Sequence, residues 1–303
     1  MKLREVPEIW LFYALIGASL WGISGTVSSI IFIKFHFPVI SLLMFRMLIS
    51  GLFLLLLYRP RLPRKNFFLF LVYSIAGLTG VQFTYLETIA LTNASTATIL
   101  QYLYLPMVVL YTVISGSVRI TRLLTVAILV TMMGLFELVT GFPGSPLAII
   151  INPLGLIFGL LSAVTAALYT VLSKPLIYQN GTMPTVAWAL LIGGFVTLPA
   201  GLIPSLEYFS TGGLTVIVYL SVLILFVAIF GTMLAFLLYI KSMERISTTE
   251  ASVAATMEPI WAAITTYVFL GIYLNAYQYL GGILIVLSLT ILRIGMRNRG
   301  NAD

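Results

Sequence analysis

Ser95-Thr96-Ala97-Thr98 leads to Pro106 in one apolar stretch, and Thr248-Thr249-Glu250-Ala251 leads to Pro259 at the same spacing in another. From 95 to 248 the offset is 153 residues, about half the chain. Apolar runs fall at roughly 10–33, 38–58, 67–88, 92–115, 121–141, 152–173, 183–203, 214–240, 248–270 and 275–294. Five runs therefore separate the two stretches, the fourth run answering to the ninth. A repeat with an odd number of spans re-enters the membrane in the opposite sense. The reading is an all-α membrane protein of ten transmembrane helices built as two inverted five-helix repeats, residues 1–150 and 151–303. A second pair of stretches agrees in spacing: Ala14, Ala18 and Gly22 in the first run, Gly159, Ala163 and Ala167 in the sixth. Small residues every fourth position make one face on which helix backbones approach closely.

Composition supports a lipid solvent. The 303 residues are 60% hydrophobic and 8% charged, where soluble domains carry about 25% charge. Spans of roughly 20 residues, joined by short loops, use up the whole length. Turn formers punctuate the runs at Pro38, Pro60 with Pro63, Gly141 to Pro146, Asn152-Pro153, Asn180-Gly181 and Gly212-Gly213. The net charge of +7 does not indicate nucleic acid, because the positions of the basic residues explain it. With the N-terminus in the cytoplasm, Lys2, Arg4, Arg59, Arg61, Arg64, Lys65, Arg119, Arg122, Lys174, Lys241, Arg245, Arg293, Arg297 and Arg299 all lie inside, and Lys34 alone lies in an outer loop. That bias predicts a multi-pass inner-membrane protein with both termini cytoplasmic. The first run is long and lacks a small-residue cleavage site, so a cleaved signal peptide is not expected.

The absence of cysteine excludes disulfides and thiolate metal sites, and the single histidine, His36, cannot form a histidine cluster. No His-Glu-x-x-His pair, Gly-x-Ser-x-Gly elbow, Walker loop or dense acidic cluster is present. Neither an enzyme nor a built-in ATPase motor is expected, and nothing calls for a cofactor or a metal.

Ala18-Ser19-Leu20-Trp21-Gly22, Arg46, Ser95 through Pro106, and Ala251-Ser252 through Met257-Glu258-Pro259 followed by Phe269-Leu270-Gly271 resemble the EamA-type branch of the drug/metabolite transporter superfamily across nearly the whole length. The resemblance implies ten helices and movement of small organic metabolites, such as metabolite export, with substrates that differ widely among members. The family usually has an acidic residue after the Leu-Gly that closes the ninth helix. Ile272 stands there, and Ser117 at the corresponding place of the first half, so no loop carboxylate is carried over.

Ionisable groups deep in hydrocarbon cost about 2.5–3.5 kcal/mol on insertion scales and mark functional interiors. At about 1.5 Å per residue, Arg46 lies roughly 12 Å and Glu258 roughly 15 Å into the membrane. Glu87 and Glu137 fall at the outer ends of their runs, where headgroups can solvate them. Trp21, Gln101 and Tyr102 share the midplane, Trp261 lies one turn beyond Glu258, and Gln82 and Tyr85 sit toward the outer side. Together these eight residues (Trp21, Arg46, Gln82, Tyr85, Gln101, Tyr102, Glu258, Trp261) form the candidate substrate site. Rings would bury an apolar body, and the amides and charges would orient polar groups. Pro106 and Pro259 free the carbonyls of Tyr102 and Ala255 and are candidate hinges. A carboxylate with restricted water access also makes Glu258 a candidate for proton coupling. The expected function is a secondary transporter or facilitator for small organic molecules, with amino acids and amphipathic drugs as leading guesses. A lipid-translocating or structural membrane protein is the alternative, and an intramembrane enzyme ranks last.

Overall fold

The computed structural model describes residues 8–91, 97, 100–116, 121–140, 153–270 and 275–300. Ser95, Thr96, Thr98, Ser117, Arg119, Gly144, Gly271, Ile272 and the boundary between the two halves lie outside the described residues. Everything described is helical or connecting loop, with no strand among the described residues. The elements are α1 (Ile9–Phe35), α2 (Val39–Tyr58), α3 (Phe67–Leu91), α4 (Leu100–Ile114), α5 (Arg122–Thr140), α6 (Pro153–Asn180), α7 (Thr182–Thr211), α8 (Leu214–Ser242), α9 (Thr248–Ala254), α10 (Met257–Leu270) and α11 (Ala276–Gly300). Of these, α1, α2, α3, α6, α7 and α8 are each long and apolar enough to cross a membrane. Shorter apolar helices cover Leu100–Ile114, Arg122–Gly134 and Tyr279–Ser288. Only helices satisfy every backbone group internally in hydrocarbon, which is why such apolar runs take this form.

The elements end where the sequence forces them to. α1 stops at His36, whose left-handed backbone (φ 49°) returns its N–H to the Phe32 carbonyl, and Pro38 opens α2 two residues later. Gly181, at φ 84°, turns α6 into α7 in a conformation that a side chain would strain. Ser247 and Glu250 cap α9 reciprocally, each side chain bonding the other's backbone N–H.

Packing inverts the soluble pattern. Large apolar side chains such as Phe12, Leu56, Phe68, Leu110, Leu129, Ile157, Leu214, Val222 and Val268 face outward, while serines, threonines and glycines are buried. Lipid is the solvent that suits this arrangement. α2 pairs with α7, α5 with α11, α3 with α6, and α1 with both α8 and α10. Small residues let these backbones meet: a Cβ on Gly51 would fall on the backbone of Leu191, and one on Gly22 on the backbones of Glu258 and Ala262. Hydroxyls bond across the seams, Ser41 to the Gly201 carbonyl and Ser50 to the Ala228 carbonyl (2.7 Å each), and Thr26 to Thr265 (2.7 Å).

Local irregularities recur at the same offset in the two halves. α3 contains a π-helical stretch, Tyr73–Thr79, and α8 another, Val227–Leu234. In the first, Thr79 bonds the carbonyl of Ser74 five residues back, and in the second Thr232 bonds that of Val227. α4 breaks at Leu103, whose N–H bonds the Leu100 carbonyl. The gap between α9 and α10 holds the matching bond from Thr256 to Val253. Each break lies three residues before a proline, Pro106 or Pro259. Pro259 is buried and Pro106 is exposed.

Candidate functional site

A cavity opens beside the two helix breaks, walled by α1, α2, α3, α4, α6, α8 and the break between α9 and α10. Trp21, Arg46, Gln82, Tyr85, Gln101, Tyr102 and Glu258, seven of the eight residues singled out from the sequence, line it together. Trp261 does not. It sits against α1, its Cβ among the atoms that a side chain on Gly22 would strike, on the seam between α1 and α10. Glu87 and Glu137 are half-buried and neither lines the cavity.

Arg46 is 7% exposed and reaches away from its own helix. Its Nε donates to Thr232 Oγ1 at 2.7 Å, and Nη2 to the Gly231 carbonyl at 3.5 Å. Both acceptors sit in the π-helical stretch of α8, where the widened turn presents a carbonyl sideways. Thr232 donates its own proton to the Val227 carbonyl at 3.0 Å, so its oxygen accepts from Arg46 while its hydrogen braces the turn. Ser50 ties α2 to the same stretch through the Ala228 carbonyl.

Glu258 stands in the first turn of α10, at the break in the chain. Its backbone N–H bonds the Ala255 carbonyl at 2.9 Å. Pro259 has no N–H to offer that carbonyl, which the buried Tyr102 hydroxyl also approaches, at 2.6 Å from α4. Tyr102 lies 3.1 Å from Glu258 Oε2. The carbonyl freed by the proline is thus held by the opposite half of the chain. No ion pair joins Arg46 to Glu258 in the cavity that the two side chains share.

The floor is aromatic. The Trp21 ring rests 4.8 Å from Phe236 and 4.7 Å from Tyr239, and Tyr169 packs on both of them. Tyr104 closes the same level, 5.7 Å from Tyr102. Among the described residues, the Trp21 indole N–H and both amide atoms of Gln82 find no hydrogen-bond partner. Gln82 is only 6% exposed. Buried polar groups are nearly always paired, so orphans facing a cavity are positioned for something that enters it.

The sequence reading missed several of the lining residues. Ser24, Gly25 and Ser28 continue the α1 face that carries Trp21, one turn and two turns on, and that periodicity could have found them. Tyr169 and Phe236 gave no signal beyond being aromatic.

The chain has relatives among known proteins. A family model described as the EamA-like transporter family matches residues 8–140 and 153–294. A Salmonella typhimurium protein named as the uncharacterized inner membrane transporter YicL is 33% identical over 296 residues, covering 95% of this chain and 96% of that protein. A solved crystal structure, described only as that of a protein, superposes with a TM-score of 0.74 at 16% identity, over 95% of this chain and 98% of that one, a likeness of fold alone. With its apolar spans and a relative named as an inner membrane transporter, this multi-pass chain belongs to the EamA-like transporter family.

Proposed function

We propose that the chain is a secondary transporter or facilitator that carries small organic molecules through the cavity between its two halves, read as inverted five-helix repeats with both termini in the cytoplasm. The observation that carries this reading is the buried, unpartnered amide of Gln82 beside Arg46 and Glu258 in one cavity. The repeats are supported by the π-helical stretches and chain breaks that recur between the halves, and by the Tyr102–Ala255 bond, which joins positions 153 residues apart. Trp21, Arg46, Gln82, Tyr85, Gln101, Tyr102 and Glu258 contact the substrate, and the breaks before Pro106 and Pro259 are the joints at which one half moves against the other.

Reconstituted vesicles test this. Saturable, competable flux is expected across a metabolite panel that includes amino acids and amphipathic drugs. Movement of labelled lipid without solute flux would instead make the protein a scrambler. Imposing a pH gradient assigns the energetics. Accumulation that wild type shows and Glu258→Gln loses marks proton coupling through this carboxyl, equal accumulation removes Glu258 from that role, and flux without accumulation marks a facilitator. For orientation, a cysteine placed at Pro60 is expected to react only from the cytoplasmic side and one at Gly144 only from outside. The reverse pattern would overturn the topology.

A further inference from the structure

We infer that the ligand of this cavity is an organic monoanion, its carboxylate on Arg46 and its apolar, ring-bearing body carrying a group that both donates to and accepts from Gln82. The inference rests on the cavity reading above and narrows it to one charge class.

Among the described residues lining the cavity, Arg46 and Glu258 are the only members of the Asp, Glu, Lys, Arg and His set. Whether the cavity is neutral or positive therefore depends on whether Glu258 holds its proton. Hydrogen bonding decides this. The Tyr102 hydroxyl has one hydrogen. A backbone carbonyl can only accept, so the 2.6 Å contact to Ala255 takes that hydrogen. The Tyr102 oxygen then turns lone pairs toward Glu258 Oε2 at 3.1 Å. An ionised carboxylate there would set lone pairs against lone pairs, whereas a protonated one donates to the phenol. The Glu258 backbone N–H is committed to the Ala255 carbonyl, and the Arg46 guanidinium is turned to Thr232 and Gly231 on α8. The other titratable side chains lining the cavity are the phenols Tyr85 of α3, Tyr104 of α4 and Tyr169 of α6. Glu258 is accordingly neutral in this state, and the cavity carries the single positive charge of Arg46.

A cation entering such a cavity meets no counter-charge. A zwitterion satisfies Arg46 but leaves its ammonium with no ionised carboxylate to pair with. A monoanion alone balances the charge. Two bonds to α8 leave the outer edge of the guanidinium fork to receive a carboxylate. The orphan Gln82 amide and Trp21 N–H add neutral donors and an acceptor along the body of the ligand.

The chain has no cysteine, so one introduced thiol reports without background. Gly25 lines the cavity and a Cβ there meets nothing within 4 Å. In Gly25→Cys, reaction with the anionic sulfonatoethyl methanethiosulfonate is expected to outpace the cationic trimethylammonioethyl reagent by about tenfold, after normalising to free β-mercaptoethanol. Adding Arg46→Gln should erase the preference, and adding Glu258→Gln should leave it within about twofold. Equal rates, a cationic preference, or a marked rise on Glu258→Gln would overturn the inference, the last because it would mean the carboxyl was ionised. The first and last readings need no Arg46 variant, should that one fail to fold. Protection of the thiol from a neutral maleimide adds three probes with one phenyl body: hydrocinnamate, L-phenylalanine and phenethylammonium. Hydrocinnamate is expected to protect at the lowest concentration, and stronger protection by either of the others, or by none of the three, would overturn it. Loss of vesicle flux with this pattern intact would sink the transport reading alone.

Discussion

Gly22→Ala is expected to remove most of the folded protein, while Gly25→Ala, three residues along the same helix, leaves the yield unchanged. At position 22 the added methyl falls on the backbone carbonyl of Glu258, 2.8 Å from the backbone nitrogen of Ala262 and 3.0 Å from Trp261 Cβ. Backbone atoms have no rotamer to yield, so α1 and α10 must separate along the seam that positions Glu258. At position 25 nothing lies within 4 Å. Overpacking a tight interior typically costs about 1–3 kcal/mol, roughly a fivefold to more than hundredfold change in the folded ratio, and backbone contact puts Gly22 at the upper end. The measurement is the monodisperse fraction after extraction, with the thermal midpoint in detergent. Equal behaviour of the two variants would show that the α1–α10 contact is looser than described.

Gly22 is also where the sequence was most informative. The stripe of Ala14, Ala18 and Gly22 marked a face on which helix backbones approach closely, and Pro106 and Pro259 marked candidate hinges. Both are written in side-chain size and in the missing proline N–H, so they survive without tertiary information. The breaks themselves fall three residues before each proline, beside the carbonyls of Tyr102 and Ala255 four residues back that lose their donors. The π-helical stretches were not legible. Their signal, a threonine bonding five residues back at Thr79 and Thr232, is recognisable only once the backbone is known, because threonine in apolar helices ordinarily bonds four residues back. The cavity was partly legible. Counting residues from a membrane surface fixes depth but says little about direction around the helix axis. That sufficed for Arg46 and Glu258, whose desolvation cost excludes lipid. It failed for Trp261, an aromatic residue equally stable against α1.

Thr232→Val should destabilise the protein strongly, Thr232→Ser should not, and the difference should vanish when Arg46 is removed. Valine keeps the volume and deletes the one oxygen that accepts the Arg46 Nε–H at 2.7 Å and donates to the Val227 carbonyl. Arg46 is buried, so Nε would be left without an acceptor in a dry interior. Hydrogen bonds to charged groups are worth about 1.5–3 kcal/mol, and the orphaned donor adds its desolvation, so the folded ratio should fall roughly tenfold to hundredfold or more. Serine keeps the oxygen and loses only a methyl. A weakening of the π-helical stretch alone would destabilise in the same direction, and a double-mutant cycle separates the two. In an Arg46→Leu background no charged donor remains to be orphaned, and the added cost of Thr232→Val should shrink by about 1.5–3 kcal/mol. Thermal or denaturant unfolding in detergent supplies all four corners of the cycle. Strict additivity would mean that Thr232 serves only its own helix and that the irregular stretch of α8 is not what aims Arg46 into the cavity.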